Sequence, residues 1–221
     1  MKKINFALAA ILAVGTANAA IISGDTQSYG PTATDFSGLP VSLAGYDGLS
    51  GTLIGVILTM TGHIDTQYNA SNDSAQSGQL LGANTTSTMS LFFGAVGVVT
   101  AIPVTSLTGA PYIVPAISAV TNYGSLATGE NSNSATFNTP NPLIAAFISG
   151  PVSFTVNSST ITFSSTTGGN VAVGQSTVGS GTAHVDFIVA DTGEIPEPAS
   201  LALIGGGLTG LAYLLRRRKA A

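Results

Sequence analysis

The sequence predicts an all-β protein, folded as a single antiparallel β-sandwich with two layers of the jelly-roll or immunoglobulin-like kind. Between Ala20 and Glu194, short apolar runs alternate with polar residues, and Ser, Thr, Asn and Gly are abundant. No segment in this range keeps a 3.6-residue apolar period between helix caps. The range contains roughly eight to ten strand-like segments, which is enough for two sheets.

The first third of this range predicts edge strands followed by one long strand. Residues 21–39 suggest two short edge strands around the turn pair Gly30-Pro31. From Ile54 onward the even positions are apolar and the odd positions largely polar, which assigns one face to a core and the other to water. The apolar positions are Ile54, Val56, Leu58, Met60 and Ile64. A polar loop is predicted over residues 70–78.

The middle third is interrupted by prolines. A strand with Met89, Leu91 and Phe93 on one face precedes an apolar run over residues 95–102. Pro cannot donate to a strand ladder, so residues 112–120 are expected to form an edge strand or a covering loop. The range 124–142 is polar and predicts a loop, whereas 143–149 is compatible with either a strand or a helical turn.

The last third predicts a hairpin and a closing strand. Apolar residues alternate from Val152 to Val156 and return at Ile161, so the polar residues 157–159 are expected to turn the chain. A second turn is expected at 168–170. The closing strand places His184 and Asp186 on one face. Its other face carries Ala183, Val185, Phe187 and Val189.

The N-terminus has the pattern of a secretory signal peptide. Two lysines precede an apolar run over residues 4–14, and Ala17-Asn18-Ala19 supplies the small-x-small pattern that signal peptidase cleaves. We therefore expect signal peptidase to remove residues 1–19 and leave an exported domain over residues 20–193.

The C-terminal segment, residues 194–221, combines three features. Pro196-Glu197-Pro198 precedes an apolar run over residues 199–215. As a helix this run is about 25 Å long, slightly less than the roughly 30 Å of a bilayer's hydrocarbon core. A basic tail follows, which is expected to stay in the cytoplasm and stop transfer of the chain. The tail consists of Arg216, Arg217, Arg218 and Lys219.

This order of features resembles the PEP-CTERM sorting signal. The resemblance implies that an exosortase-type membrane protease processes the chain near Pro196-Glu197-Pro198. It also implies a transient membrane anchor through helix 199–215, followed by location at the cell surface or outside the cell. The alternative is an ordinary single-span anchor that follows a proline-rich break.

A second resemblance lies in the predicted exported domain. The Leu39-Pro40 and Val41-Ser42-Leu43 lead, the pair Tyr46-Asp47 and the strand entry Gly51-Thr52-Leu53 are similar to the choice-of-anchor E family. The later run 179–182 fits the same pattern. The resemblance implies an exported β domain and no catalytic residues.

Charge and cysteine content exclude several classes of function. All six basic residues lie in the terminal segments, at positions 2, 3 and 216–219, whereas all ten carboxylates lie between them. Nucleic-acid binding and most phosphoryl transfer need cationic residues that this middle region lacks. Because the chain has no cysteine, disulfides, thiolate metal sites and cysteine nucleophiles are excluded too.

The two histidines are the main candidates for chemistry. Each belongs to a His-x-Asp triplet, His63 with Asp65 and His184 with Asp186. Residues i and i+2 of a strand share a face, so four ligands for zinc or another divalent cation could meet if the two strands were neighbours. The alternative is a pair of solvated polar faces, and we expect neither a metal nor a cofactor.

Other chemistry has weaker support in the sequence. Asn69, Asn72 and Asp73 have loop-like spacing for Ca²⁺ but include only one carboxylate. Gly179-Ser180-Gly181 is expected in a β turn rather than in a nucleophile elbow. A glycosidase would need two converging carboxylates, for which the candidates are Asp47, Asp65, Asp186 and Asp191.

The sequence thus favours a non-enzymatic, exported surface or matrix protein, structural or adhesive within extracellular polysaccharide or biofilm. A carbohydrate- or metal-binding surface module and an envelope hydrolase are the two alternatives.

Overall fold

A computed structural model describes residues 19–190, which form ten strands and one short helix. Strand lengths range from 3 to 21 residues, and the longest strands lie near the start and the middle of the range. The elements are β1 (Ala19–Ala33), β2 (Leu39–Leu43), β3 (Thr52–Asn72), β4 (Gly78–Phe93), β5 (Val96–Ala101), β6 (Val104–Ser106), β7 (Tyr112–Val114), β8 (Ser118–Asn138), α1 (Pro142–Ser149), β9 (Val152–Thr167) and β10 (Val171–Ala190).

The strands form two antiparallel sheets. Sheet A has four strands in the order β1-β10-β3-β8. Sheet B has six strands, with β2-β9-β4-β5 in sequence and β6 and β7 also paired to β4. The prediction of an antiparallel all-β fold is therefore confirmed. The inner faces of the two sheets share a hydrophobic core, as the predicted two-layer sandwich requires.

The predicted alternation in β3 and β10 is confirmed. Val56, Leu58, Met60 and Ile64 are fully buried, while the odd positions between them are partly exposed. Ile54 is the exception, because the register shifts between Ile188 and Val189, so that Leu53 is buried and Ile54 is only half-buried. The four apolar positions of β10 from Ala183 to Val189 are buried as well. These two strands pair along nearly their whole length, so they form the centre of sheet A.

Helix α1 closes one end of the core. Pro142 occupies its first turn, and the side-chain oxygen of Asn141 accepts the backbone N–H of Leu143, as an N-cap residue does. Phe147 of α1 is fully buried, and its ring lies 5.6 Å from Phe187 and 6.1 Å from Phe154 between ring centroids. The ambiguous segment 143–149 is thus helical.

A layer of buried hydroxyl groups separates this core from a second apolar cluster around Tyr68 and Leu80. The Tyr68 hydroxyl donates to Thr85 Oγ1 at 3.1 Å, and Thr66 Oγ1 lies 3.2 Å from Thr177 Oγ1. Because the hydroxyls bond to one another across the sheets, they can be buried without the cost of unpaired polar groups.

The predicted hairpin at 157–159 is wrong, because β9 runs straight through these residues to Thr167. Ser158 is buried and its hydroxyl lies 2.8 Å from Ser87 Oγ across the sheet. A serine that faces the hydroxyl layer looks like a turn residue in the sequence. The turn predicted at 168–170 is confirmed, and Gly168 and Gly169 both have positive φ there.

The loop predicted over residues 124–142 is also wrong, since most of it belongs to β8. This strand lies at the edge of sheet A, and most of its side chains are exposed, so its sequence shows no apolar alternation. Backbone pairing with β3 from Gly55 to Asn72 positions it instead.

Three other predicted boundaries change. Residues 19–33 form one edge strand with irregularities near Gly24 and Gly30, rather than two strands. Strand β3 extends through Tyr68 and Ala70 to Asn72, which shortens the predicted polar loop. Gly179-Ser180-Gly181 lies inside β10 and not in a turn.

In the range 19–190, α1 is the sole helix, and its eight residues are too few to cross a bilayer. The predicted signal peptide with Ala17 and the sorting segment with helix 199–215 lie outside the described residues. Ala19 is the first residue of β1 and pairs with Ala190 at the end of β10.

Candidate functional site

The two His-x-Asp pairs lie on the outer face of sheet A, as their positions on β3 and β10 predict. His63 Nε2 lies 3.1 Å from Asp65 Oδ1, and His184 Nε2 lies 2.9 Å from Asp186 Oδ1. Each imidazole is thus paired with the carboxylate two residues further along its strand.

The strand register keeps the two pairs apart. Strands β3 and β10 are neighbours, but His63 faces Ser180 whereas His184 faces Thr59. Four strand positions, or about 13 Å, separate the two imidazoles along the sheet. The four candidate ligands therefore do not converge. Within residues 19–190 no group of three or more His, Cys, Asp or Glu side chains is arranged to hold a metal ion.

The surroundings of the two histidines differ. His184 Nδ1 lies 2.7 Å from the hydroxyl of Thr26 on β1, so the imidazole is hydrogen-bonded on both sides. His63 Nδ1 instead lies 3.9 Å from a carboxylate oxygen of Glu130 on β8. Of the two pairs, only the His184 pair therefore forms a hydrogen-bonded series of hydroxyl, imidazole and carboxylate groups.

Of the three residues considered for Ca²⁺, Asn72 uses its side-chain oxygen atom to hold the loops in place. Asn72 is fully buried, and its side-chain oxygen accepts the backbone N–H groups of Ser74 and Asn170. Its amide group donates to the carbonyl oxygen of Gln76 at 2.8 Å. Asn72 thus ties neighbouring loops together, and its oxygen already has two N–H donors.

Two of the carboxylates considered for glycoside hydrolysis, Asp65 and Asp186, are also separated. Asp65 pairs with Val178 and Asp186 with Ile57, so roughly 26 Å of strand lies between them. Inverting and retaining enzymes place their two carboxylates within about 10 Å. Asp191 lies outside the described residues.

A cleft between β1 and the β2–β3 loop brings together two carboxylates, Asp47 and Asp25. Its volume is about 390 Å³, and one wall is formed by Tyr46, whose ring lies 5.3 Å from Phe187. The Tyr46 hydroxyl donates to the carbonyl oxygen of Gly51, which holds the ring in place. Our sequence analysis included Asp47 but missed Asp25. The strand irregularity beside Gly24, which turns Asp25 toward the cleft, leaves no mark in the residue pattern.

Hydrogen bonds keep Asp25 ionised. The Gln27 side-chain amide and the backbone N–H of Ala44 both donate to its carboxylate. The Gln27 bond is the larger influence, and together these donors lower the pKa of Asp25 from its usual value. The cleft therefore presents a negative charge beside an aromatic wall.

The chain's C-terminal segment matches a known sorting signal. Residues 194–219 match the PEP-CTERM protein-sorting motif. The chain carries a PEP-CTERM sorting signal. This signal indicates an exported protein that is sorted by an exosortase to the cell surface or the extracellular space. The predicted PEP-CTERM resemblance is thus confirmed, while the resemblance of the exported domain to the choice-of-anchor E family stays a prediction.

Comparison of the whole chain with curated proteins and solved structures identifies no related protein that supports a function. No curated protein matches the chain. The STIV MCP crystal structure is similar over 77% of this chain and 48% of its own, with 11% identity and a TM-score of 0.23. The infectious bursal disease virus VP2 subviral particle is similar over 91% and 49%, with 12% identity and a TM-score of 0.17. The chain spans about half the length of these structures, and TM-scores this low carry no argument about fold or function.

Proposed function

We propose that the PEP-CTERM protein is a non-enzymatic component of the cell surface or extracellular matrix, with a structural or adhesive role in exopolysaccharide or biofilm. The sorting signal at 194–219 is the observation that carries this proposal. An exported domain with no basic side chain between positions 3 and 216 is also unsuited to most anionic ligands.

The proposal includes a transient tether. Signal peptidase removes residues 1–19, helix 199–215 holds the chain in the membrane, and the exosortase then processes it near Pro196-Glu197-Pro198. The apolar length and the basic tail of the C-terminal segment support this order of events.

Mass spectrometry of the extracellular form tests this proposal. The expected form begins at Ala20 and has lost Arg216 to Lys219, with a new C-terminus near Glu197. Replacing Pro196, Glu197 and Pro198 together by alanine should retain the chain in the membrane fraction. A matched triple alanine replacement of Val120, Thr121 and Asn122, which are all exposed on β8, should leave sorting unchanged. Recovery of the intact chain from the cytosol of healthy cells would contradict the proposal.

The alternative of an envelope hydrolase is favoured by one observation, the chain Thr26–His184–Asp186. With Thr26 donating to Nδ1 at 2.7 Å and Nε2 donating to Asp186 at 2.9 Å, the groups have the order that activates a hydroxyl nucleophile. In such a hydrolase the Thr26 oxygen bonds to the acyl carbon, its proton passes through His184 to the leaving group, and water then releases the acyl group.

Labelling with a fluorophosphonate probe tests the alternative. A hydrolase should be labelled at Thr26, and both Thr26→Ala and His184→Ala should abolish labelling. His63→Ala is the matched control, because that imidazole also pairs with an aspartate but lacks the hydroxyl partner. If the wild-type protein is not labelled, the hydrolase alternative is refuted and the non-enzymatic function stands.

A further inference from the structure

The six strands of sheet B contain no charged residue. Their sequences include no Asp, Glu, Lys, Arg or His, whereas the strands of sheet A carry six such residues. Those six are Asp25, His63, Asp65, Glu130, His184 and Asp186. The two outer faces of the domain therefore differ, and we call the outer face of sheet B the uncharged face.

Six large apolar side chains on the strands of sheet B are exposed, and Phe163 is the one aromatic ring among them; the others are Leu81, Val96, Val104, Ile113 and Ile161. Phe163 is 63% exposed and Ile161 is 57% exposed, both on the outward positions of β9. Phe163 pairs with Asn84 on β4, which in turn pairs with Ser106 on β6. An exposed phenylalanine ring thus lies level with an amide and a hydroxyl in one row of the sheet.

Shallow depressions lie on both sides of this pair of side chains. One, of about 330 Å³, is lined by Phe163 together with Asn84, Ser106 and the serines that follow Phe163. The other, of about 280 Å³, is lined by Phe92 at the far end and by hydroxyl and amide side chains such as Thr88 and Asn157. Phe92 pairs with Thr155, so eight strand positions, about 26 Å, separate the two aromatic rings.

One charged residue lies at the border of the uncharged face. Asp35 of the β1–β2 loop lines the second depression, but its Oδ1 accepts the backbone N–H of Thr160 at 2.5 Å. That carboxylate is therefore committed to holding the loop against β9. The middle of the face, between Phe92 and Phe163, is uncharged and carries mainly hydroxyl and amide side chains around Ile161.

We propose that the uncharged face binds an uncharged polysaccharide chain, with Phe163 as the platform on which a sugar ring stacks. A sugar ring presents C–H groups on its faces and hydroxyl groups around its rim. An aromatic ring suits the first, and neighbouring Asn, Ser and Thr side chains suit the second through direct or water-mediated hydrogen bonds.

The charge pattern selects this ligand over others. An anionic polysaccharide would need cations, of which residues 19–190 have none apart from protonated histidine on the opposite sheet. A stable protein partner would be expected to cover a more continuous apolar core, whereas here hydroxyl and amide side chains separate the apolar ones. The proposal rests on the proposed matrix function and identifies the surface and the ligand class for it.

Affinity electrophoresis of the purified full-length chain in mild detergent tests the proposal. The gels contain hydroxyethylcellulose, galactomannan or dextran as neutral probes, and alginate as the anionic probe. We expect at least one neutral probe to retard the wild-type protein, and alginate to leave its mobility unchanged. Phe163→Ala should weaken the retardation at least about tenfold, whereas Phe163→Tyr should keep most of it because the ring remains.

Val120→Ala is the matched control, because Val120 is 68% exposed but lies on β8 of sheet A, the sheet opposite the uncharged face. It should bind like the wild type, and thermal unfolding should show that all variants are folded. Wild-type protein that ignores all three neutral probes, or Phe163→Ala protein that binds normally, would overturn the proposal. Because this assay uses purified protein, its failure leaves the sorting experiment untouched, and the two proposals are tested separately.

Discussion

Replacing Phe147 by alanine should strongly destabilise the domain, because one residue of α1 fills the end of the core. Its side chain is fully buried and contacts the rings of Phe154 and Phe187, one from each sheet. A buried Phe→Ala change costs about 3–5 kcal/mol through lost burial and the cavity that remains. For a domain of this size, that loss lowers the melting temperature by roughly 6–20 °C.

Thermal and denaturant unfolding of the processed protein measures this effect. Ile148→Ala is the matched control, since the next helix residue is 59% exposed and should change stability by less than about 0.5 kcal/mol. Equal stability of the two variants, or a loss below about 1 kcal/mol for Phe147→Ala, would refute the idea that α1 closes the core. A large loss would also affect the cleft, because Phe187 supports the ring of Tyr46 there.

Two further predictions concern the contact between β1 and β10. Gly181→Ala should destabilise the domain on the order of 2 kcal/mol or more, because a methyl group there meets the carbonyl oxygen of Thr61 and the Tyr29 hydroxyl, whereas Gly82→Ala, in open space, should cost little. Urea unfolding compares the two variants, and similar midpoints would contradict this packing. Burial raises the pKa of Tyr29 well above its usual value, so its contribution to stability is complete below the unfolded pKa of about 10 and is lost as the pH rises further. The free energy of unfolding of the wild type should therefore fall faster with rising alkaline pH than that of Tyr29→Phe. Unfolding followed by ultraviolet absorbance at a series of alkaline pH values measures the two, and parallel losses would show that the phenol ionises freely in the folded protein.

Much of the fold follows from residue patterns that report burial directly. The alternation around Met60 and along the closing strand identified the inner faces of β3 and β10 correctly, because one face of each strand is apolar. The sorting signal at 194–219 is likewise a matter of local order, since its motif, apolar run and basic tail are contiguous. Export and sorting could therefore be inferred without any tertiary information.

The errors in the sequence analysis arise where a residue's surroundings come from distant parts of the chain. Ser158 looks like a turn residue, but Ser87 on the neighbouring strand β4, 71 residues away in the chain, gives its hydroxyl a buried partner. The polar run in β8 looks like a loop, but backbone pairing with β3 holds it as an edge strand.

The candidate functional sites also depend in part on contacts between distant parts of the chain. Each His-x-Asp pair was predictable, because the period of a strand places both side chains on one face. Whether the two pairs converge depends on the register between β3 and β10, which offsets His63 from His184 by four positions. The sequence by itself therefore determined the β character of the protein, the inner faces of β3 and β10, and the sorting signal. Only the tertiary structure decided the strand register, the Asp25 cleft and the uncharged face around Phe163, because each depends on pairing between strands far apart in the chain.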